Sequence, residues 1–151
     1  MQKITPFLWF DNQAEEAMNF YISIFNNARI INASRMGPEG PVMTATFQLE
    51  GQEFYVLNGG PMYKFTEAIS LFVTCETQQE VDEKWEKLSN GGEERQCGWV
   101  KDKFGLFWQI IPNALGELLG GNNPQRSKRV FDAMLKMNKI IIKDLEEAYN
   151  G

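Results

Sequence analysis

Ile4-Thr5-Pro6-Phe7-Leu8-Trp9-Phe10 is a short apolar run rich in strand formers, and the residues behind it switch to a helical period. Asn12 followed by Glu15 has the spacing of a capping box. Ala14, Ala17, Met18, Tyr21 and Phe25 then return at helical intervals, with Phe20 and Ile24 widening the apolar stripe. The same order of signals comes back later at a constant offset. Phe7 falls on Phe72, Asn12 on Thr77, Gln13 on Gln78, Glu15 on Glu80 and the aromatic Phe20 on Trp85. Strand, cap and helix coincide in sequence order, which is the physical content of a repeat.

Working outward, Asn26-Asn27 ends the first helix and residues 28–36 read as a strand. Gly37-Pro38-Glu39-Gly40-Pro41 is a loop, and two further strands, 42–49 and 53–57, are joined at Glu50-Gly51-Gln52. In the second copy, residues 69–75 form the strand. Thr77 and Glu80 make the capping box, and Val81, Trp85 and Leu88 mark the buried helix face before Asn90-Gly91-Gly92 stops it. Strands follow at 94–97, 98–101 and 106–111, the last preceded by a turn at Asp102-Lys103-Phe104-Gly105. The pattern predicts an α+β fold within one domain, 1–151: two βαβββ modules, 3–59 and 68–112, whose curled mixed sheets are followed by a helical extension, 113–151. In that extension residues 114–119 form a short helix, and Pro124 suits the first turn of another. Val130, Met134 and Met137 mark its inner face, and Ile140-Ile141-Ile142 reads as a brief extended piece before a last helical turn or two.

Composition narrows the function. The net charge is −5 and basic residues are not clustered, which argues against a nucleic-acid surface. Arg126, Lys128 and Arg129 read as a solvated helix face. The N-terminal residues lack the pattern of a signal peptide, and no apolar run approaches the roughly 18 residues of a membrane span, so a cytoplasmic protein is expected. Cys75 and Cys97 have no metal or redox spacing and read as small buried apolar residues. The chain contains no histidine, which removes the usual general base near neutral pH, a common metal ligand and every Ser-His or Cys-His nucleophile.

Three stretches resemble PhnB-like proteins. Residues 4–10 with Ala14-Glu15-Glu16-Ala17, Phe20-Tyr21 and Phe25 look like that family's opening. Asp102-Lys103-Phe104-Gly105 with Trp108-Gln109-Ile110-Ile111-Pro112 is similar to its closing strand, and Ala133-Met134-Leu135-Lys136-Met137 with Lys139-Ile140 to its C-terminal tail. The resemblance spans nearly the whole chain. It implies the vicinal oxygen chelate fold of glyoxalases, bleomycin-resistance proteins and extradiol dioxygenases, with paired modules curling into a cup, commonly in a homodimer. Some relatives carry the label 3-demethylubiquinone 3-methyltransferase, yet no strand here leads through a glycine-rich turn into a helix as a nucleotide-type methyl-donor site would. Metal-dependent members place four ligands on the first and last strands of each module. Those positions fall near Thr5, on Ser70, on Gln109, and on Asn58 or Tyr55. Neutral side chains of this kind are poor ligands for a transition metal, so no metal and no cofactor is expected.

Alternation along the strands puts Thr5, Phe7 and Trp9 on one face, matched by Ser70, Phe72 and Thr74 in the repeat and by Phe107, Gln109 and Ile111 on the final strand. Such a face can hold a small organic molecule, oriented by hydrogen bonds from Gln109 and Ser70, with Asn58 beside it. A second reading is a metal-independent enzyme in which Tyr55, Tyr63 or Glu67 serves as base. A third is a partner-binding protein that docks a second subunit on Met137, Ile141 and Leu145.

Overall fold

The computed structural model describes residues 2–151, which divide into two compact units, 2–65 and 66–151. In the first unit β1 (Phe7–Phe10) leads into α1 (Ala14–Ile24), followed by β2 (Arg29–Arg35), β3 (Val42–Leu49) and β4 (Gln52–Asn58). The sheet order is β1-β4-β3-β2, with β1 parallel to β4 and the other pairings antiparallel. Alternation sets its two faces. Leu8, Phe10, Ala45, Phe47, Phe54 and Val56 are buried, as are Ala14, Ala17, Met18, Tyr21 and Ile24 of α1. Phe7, Trp9, Tyr55, Thr44 and Thr46 occupy the opposite face. Glu50 (φ 50°) and Gly51 (φ 80°) are both left-handed, as a two-residue hairpin between β3 and β4 requires. The edge strand β2 is irregular, with register shifts at Ile30/Asn32 and at Ser34/Arg35, a geometry that discourages edge-to-edge pairing.

One element of the first unit departs from expectation. Asn12 does not cap α1. Gln13 occupies the cap position without a side-chain bond, and the Ala14 N–H instead donates to Asn58 Oδ1 at 2.9 Å. A residue at the far end of β4 thus supplies the acceptor that the local sequence leaves out.

The second unit repeats the topology. Its strands are β5 (Leu71–Cys75), β6 (Glu93–Glu94), β7 (Trp99–Lys101) and β8 (Phe107–Pro112), in the order β5-β8-β7-β6, with α2 (Gln78–Ser89) between β5 and β6. Here the expected cap is present, with Thr77 Oγ1 accepting from the Glu80 N–H at 3.1 Å. Asp102, 2% exposed, organises the β7–β8 turn: Oδ1 accepts from the N–H groups of Phe104 and Leu106, and Oδ2 from the Trp108 indole.

The strand expected at 94–97 shortens to β6, because Cys97 (φ 60°) and Gly98 (φ 83°) turn left-handed. Their N–H groups leave the sheet and donate to the carbonyls of Met137 and Asn138, both at 2.8 Å. A Cβ on Gly98 would lie 2.7 Å from Ile111 Cδ1 and 3.0 Å from the Ile110 carbonyl oxygen, so this crossing accepts only glycine.

The extension forms α3 (Asn113–Leu119), α4 (Pro124–Met134) and α5 (Ile142–Asn150). Asn123 caps α4 through the N–H groups of Gln125 and Arg126, with Pro124 in the first turn. Ile140-Ile141-Ile142 is not a strand, since Ile140 is a buried loop residue and α5 begins at Ile142. Leu145 is 0% exposed and packs with Ile111, Leu115, Val130 and Ile140, while Met137 lies against the same cluster. Leu145 therefore serves the interior of this unit, while Met137 and Ile141 are half-buried. The basic residues of α4 are likewise occupied, with Arg126 over the Tyr149 ring and Arg129 donating to the carbonyls of Ala148 and Tyr149.

Candidate functional site

The residues singled out from the sequence separate into two groups. In the first unit, Thr5 is half-buried and its hydroxyl lies 3.4 Å from the Gln2 side-chain amide. Phe7, 57% exposed, meets Tyr55 edge to face with ring centroids 5.6 Å apart. The Trp9 indole donates to the Gly60 carbonyl at 2.9 Å, and its ring packs edge-on against Tyr63 at 5.0 Å. Asn58 is committed to structure at both ends of its amide: Oδ1 caps α1, and Nδ2 donates to the Val42 carbonyl at 2.9 Å.

In the second unit, Gln109 Nε2 donates to Ser70 Oγ at 3.0 Å, so these two polar groups do meet. Gln109 pairs in register with Phe72 on one side and Trp99 on the other, which places all three on the face turned away from α2. Phe72 is 59% exposed and presents an open aromatic surface. Phe107 shares the face but is only 2% exposed, with the Arg95 guanidinium 5.3 Å and the Lys101 ammonium 6.0 Å from its ring centre. Ile111, expected on the same face, belongs to the hydrophobic cluster beneath the C-terminal helices.

Strand register also decides between two alternatives. Phe7 pairs with Tyr55 as Phe72 pairs with Gln109, so the counterpart of Gln109 in the first unit is Tyr55. Asn58 corresponds to Pro112, at the end of the strand.

A cavity of about 520 Å³ opens in the second unit, lined by Glu67, Glu94, Arg95, Gln96, Trp99 and Asn138. Glu67 is the one residue weighed from the sequence that lines it, and Trp99 links it to the face carrying Gln109. Arg95 was not legible as a site residue. It follows a strand of two residues, and its role depends on partners at both sides: Glu67 Oε2 at 3.1 Å, Glu93 Oε2 at 2.9 Å and the Phe107 ring. Those carboxylates raise the Arg95 pKa above its ordinary value. Glu67 is held below the usual carboxylate value, first by its own backbone N–H and then by the Arg95 guanidinium. It is therefore a weakened proton acceptor, which counts against its use as a general base near neutral pH.

The donor set does not suit a metal ion. Within the first unit Thr5 and Tyr55, and within the second Ser70 and Gln109, bring only hydroxyl and carboxamide groups, and the Gln109 amide donates into the Ser70 hydroxyl. Among the described residues no three Cys, Asp or Glu side chains converge as a metal-holding group, and no helix is long and apolar enough to cross a membrane.

Residues 2–111 match the family described as 3-demethylubiquinone-9 3-methyltransferase. The chain is similar to the solved structure of the PhnB protein from Bacillus cereus, with 41% identity and a TM-score of 0.69 over 74% of this chain and 99% of that one. A protein from Pseudomonas aeruginosa, 17% identical, gives a TM-score of 0.61 over 74% and 98% of the two chains. The genomically encoded fosfomycin resistance protein FosX from Listeria monocytogenes, solved with Mn(II) and sulfate, is 18% identical with a TM-score of 0.53 over 72% and 89%. The last two share the fold alone. No curated protein matches the chain.

Proposed function

From the premise that this chain belongs to the PhnB-like family described as 3-demethylubiquinone-9 3-methyltransferase, within the vicinal oxygen chelate superfamily, we propose that it binds a small organic molecule without the help of a metal ion. The observation that carries this reading is the 520 Å³ cavity of the second unit, with Trp99 as its aromatic wall and Arg95, Glu67 and Asn138 at its polar rim. The depression is open to solvent, and in it a flat apolar wall supplies contact area while a few polar groups fix orientation. The methyltransferase name is a family label and brings no reaction with it. The neutral donors at the positions where metal-dependent superfamily members hold their ion support the metal-free part.

The test is a thermal-shift screen of the full chain with flat aromatic amines, aromatic carboxylates and thiol conjugates. A ligand that binds only the native state raises the melting temperature with concentration. Trp99→Ala should weaken any hit by about tenfold, the worth of one aromatic contact of ~1.5 kcal/mol. A broad screen in which nothing raises the melting temperature, or hits indifferent to Trp99→Ala, would overturn the proposal.

A further inference from the structure

The family match ends at residue 111, and the Bacillus cereus structure is covered almost completely by about three quarters of this chain. The helical extension follows the part that the family model matches, and it reaches the cavity. Asn138, in the loop between α4 and α5, lines the cavity with Trp99, Arg95 and the two glutamates.

This loop is fastened at several points. The carbonyls of Met137 and Asn138 accept from the N–H groups of Cys97 and Gly98, both at 2.8 Å, immediately before β7 and Trp99. The Gln78 side chain bridges the next stretch, its Nε2 donating to the Ile140 carbonyl at 3.0 Å and its Oε1 accepting from the Ile142 N–H at 2.7 Å. Lys139 pairs with Asp82 on α2 at 2.9 Å. Ile140, fully buried, anchors the loop to the core of the unit. A surface loop tied down by both main-chain and side-chain bonds, with one amide left at a cavity rim, is a preorganised wall.

We propose that residues 137–142 determine ligand selectivity, with Asn138 as the specificity-determining side chain that reads the polar edge of a flat aromatic molecule lying against Trp99. This rests on the cavity being the binding site. The wall that discriminates would then be built from residues that follow those matched by the family model.

The test uses two probes with the same ring and opposite charge, tryptamine and indole-3-acetate, titrated into the full chain by calorimetry. Asn138 is exposed, so Asn138→Asp and Asn138→Ala should leave the fold intact, which circular dichroism checks. Asn138→Asp keeps the shape and adds a negative charge at the rim. It should shift the tryptamine to indole-3-acetate affinity ratio roughly threefold toward the amine, the size of an exposed charge contact. Asn138→Ala should lower the affinity for both without moving the ratio. If the wild-type chain binds a probe and both folded variants match its affinities, the extension has no reading role and this inference falls while the cavity stands. If the wild-type chain binds neither probe, the cavity reading fails and takes this inference with it.

Discussion

Replacing Asp102 should unfasten the strand that carries Gln109. Its carboxylate is 2% exposed and accepts three bonds, from the Phe104 N–H at 2.9 Å, the Leu106 N–H at 3.0 Å and the Trp108 indole at 2.9 Å. Bonds to a charged acceptor are worth about 1.5–3 kcal/mol each, and a buried donor left without its partner bears the full desolvation cost. Phe104 is partly open to water, so the Leu106 and Trp108 donors dominate. Asp102→Ala should therefore cost about 3–5 kcal/mol. Asp102→Asn keeps the carbonyl that receives the two main-chain donors but turns an NH₂ toward the indole N–H, and should cost about 2 kcal/mol. With an unfolding slope of about 2 kcal/mol/M, the urea midpoint drops by about 2 M for Ala and about 1 M for Asn. Tryptophan fluorescence follows this well, because Trp85, Trp99 and Trp108 all lie in the second unit. A cost below 1 kcal/mol for Ala, or equal costs for the two variants, would refute the assignment of Asp102 as the pin of this turn.

Three further outcomes can be checked. Gln78→Ala removes both bonds that hold the Ile140–Ile142 stretch, so hydrogen exchange of the Ile142 amide should accelerate several-fold, with a loss of about 1–2 kcal/mol in stability. Asp82 is held below its ordinary value of 3.8, first by the Gln78 amide and next by Lys139. A depressed carboxylate stabilises the folded form above its unfolded value, and that contribution disappears as pH falls through the folded value. Protection of the 139–142 loop amides relative to their intrinsic exchange rates should therefore fall below about pH 4 in the wild-type chain and stay flat in Asp82→Asn. Burial pushes the Cys75 thiol up to about 12, whereas Cys97 is only half-buried. A thiol reagent at pH 8 should thus modify Cys97 in the native protein and reach Cys75 only in denaturant, and rapid native labelling of Cys75 would contradict its burial.

Signals confined to a few neighbouring residues were readable in the sequence. Thr77 with Glu80 capped α2 as its spacing required, Asn123-Pro124 opened α4, and the bounds of β3 followed from its alternation between the loop at 37–41 and the Glu50-Gly51 turn. What escaped was set by distant partners. The cap of α1 comes from Asn58, 44 residues along the chain from Ala14, so the local Asn12–Glu15 spacing misled. The strand read at 94–97 breaks off because Cys97 and Gly98 turn left-handed and their N–H groups find the carbonyls of Met137 and Asn138. The site was legible in the same measure. Ser70 and Gln109 could be paired from alternation, whereas Arg95 and Asn138 gain their place only from ion pairs and backbone bonds between segments remote in sequence.

The two units show how one topology can divide its tasks. Phe10 pairs with Asn58 at the end of the first parallel pair, and Cys75 pairs with Pro112 at the end of the second. A proline side chain cannot accept a hydrogen bond, so α2 must be capped from within, and Thr77 does this. Three positions earlier along β4 and β8 the roles part again: Tyr55 packs edge to face on Phe7, while Gln109 beside Phe72 turns its amide to Ser70. The first unit thus closes its equivalent positions with ring contacts and a structural amide. The second keeps hydrogen-bonding groups on its open face, next to Trp99 and the cavity. If the division is real, Tyr55→Phe should leave ligand binding within about twofold of wild type, since it removes only a hydroxyl, while Gln109→Leu should weaken binding about fivefold, the worth of one neutral hydrogen bond near 1 kcal/mol. A reversed order of these two effects, measured by calorimetry with the same indole probe, would move the binding face to the first unit.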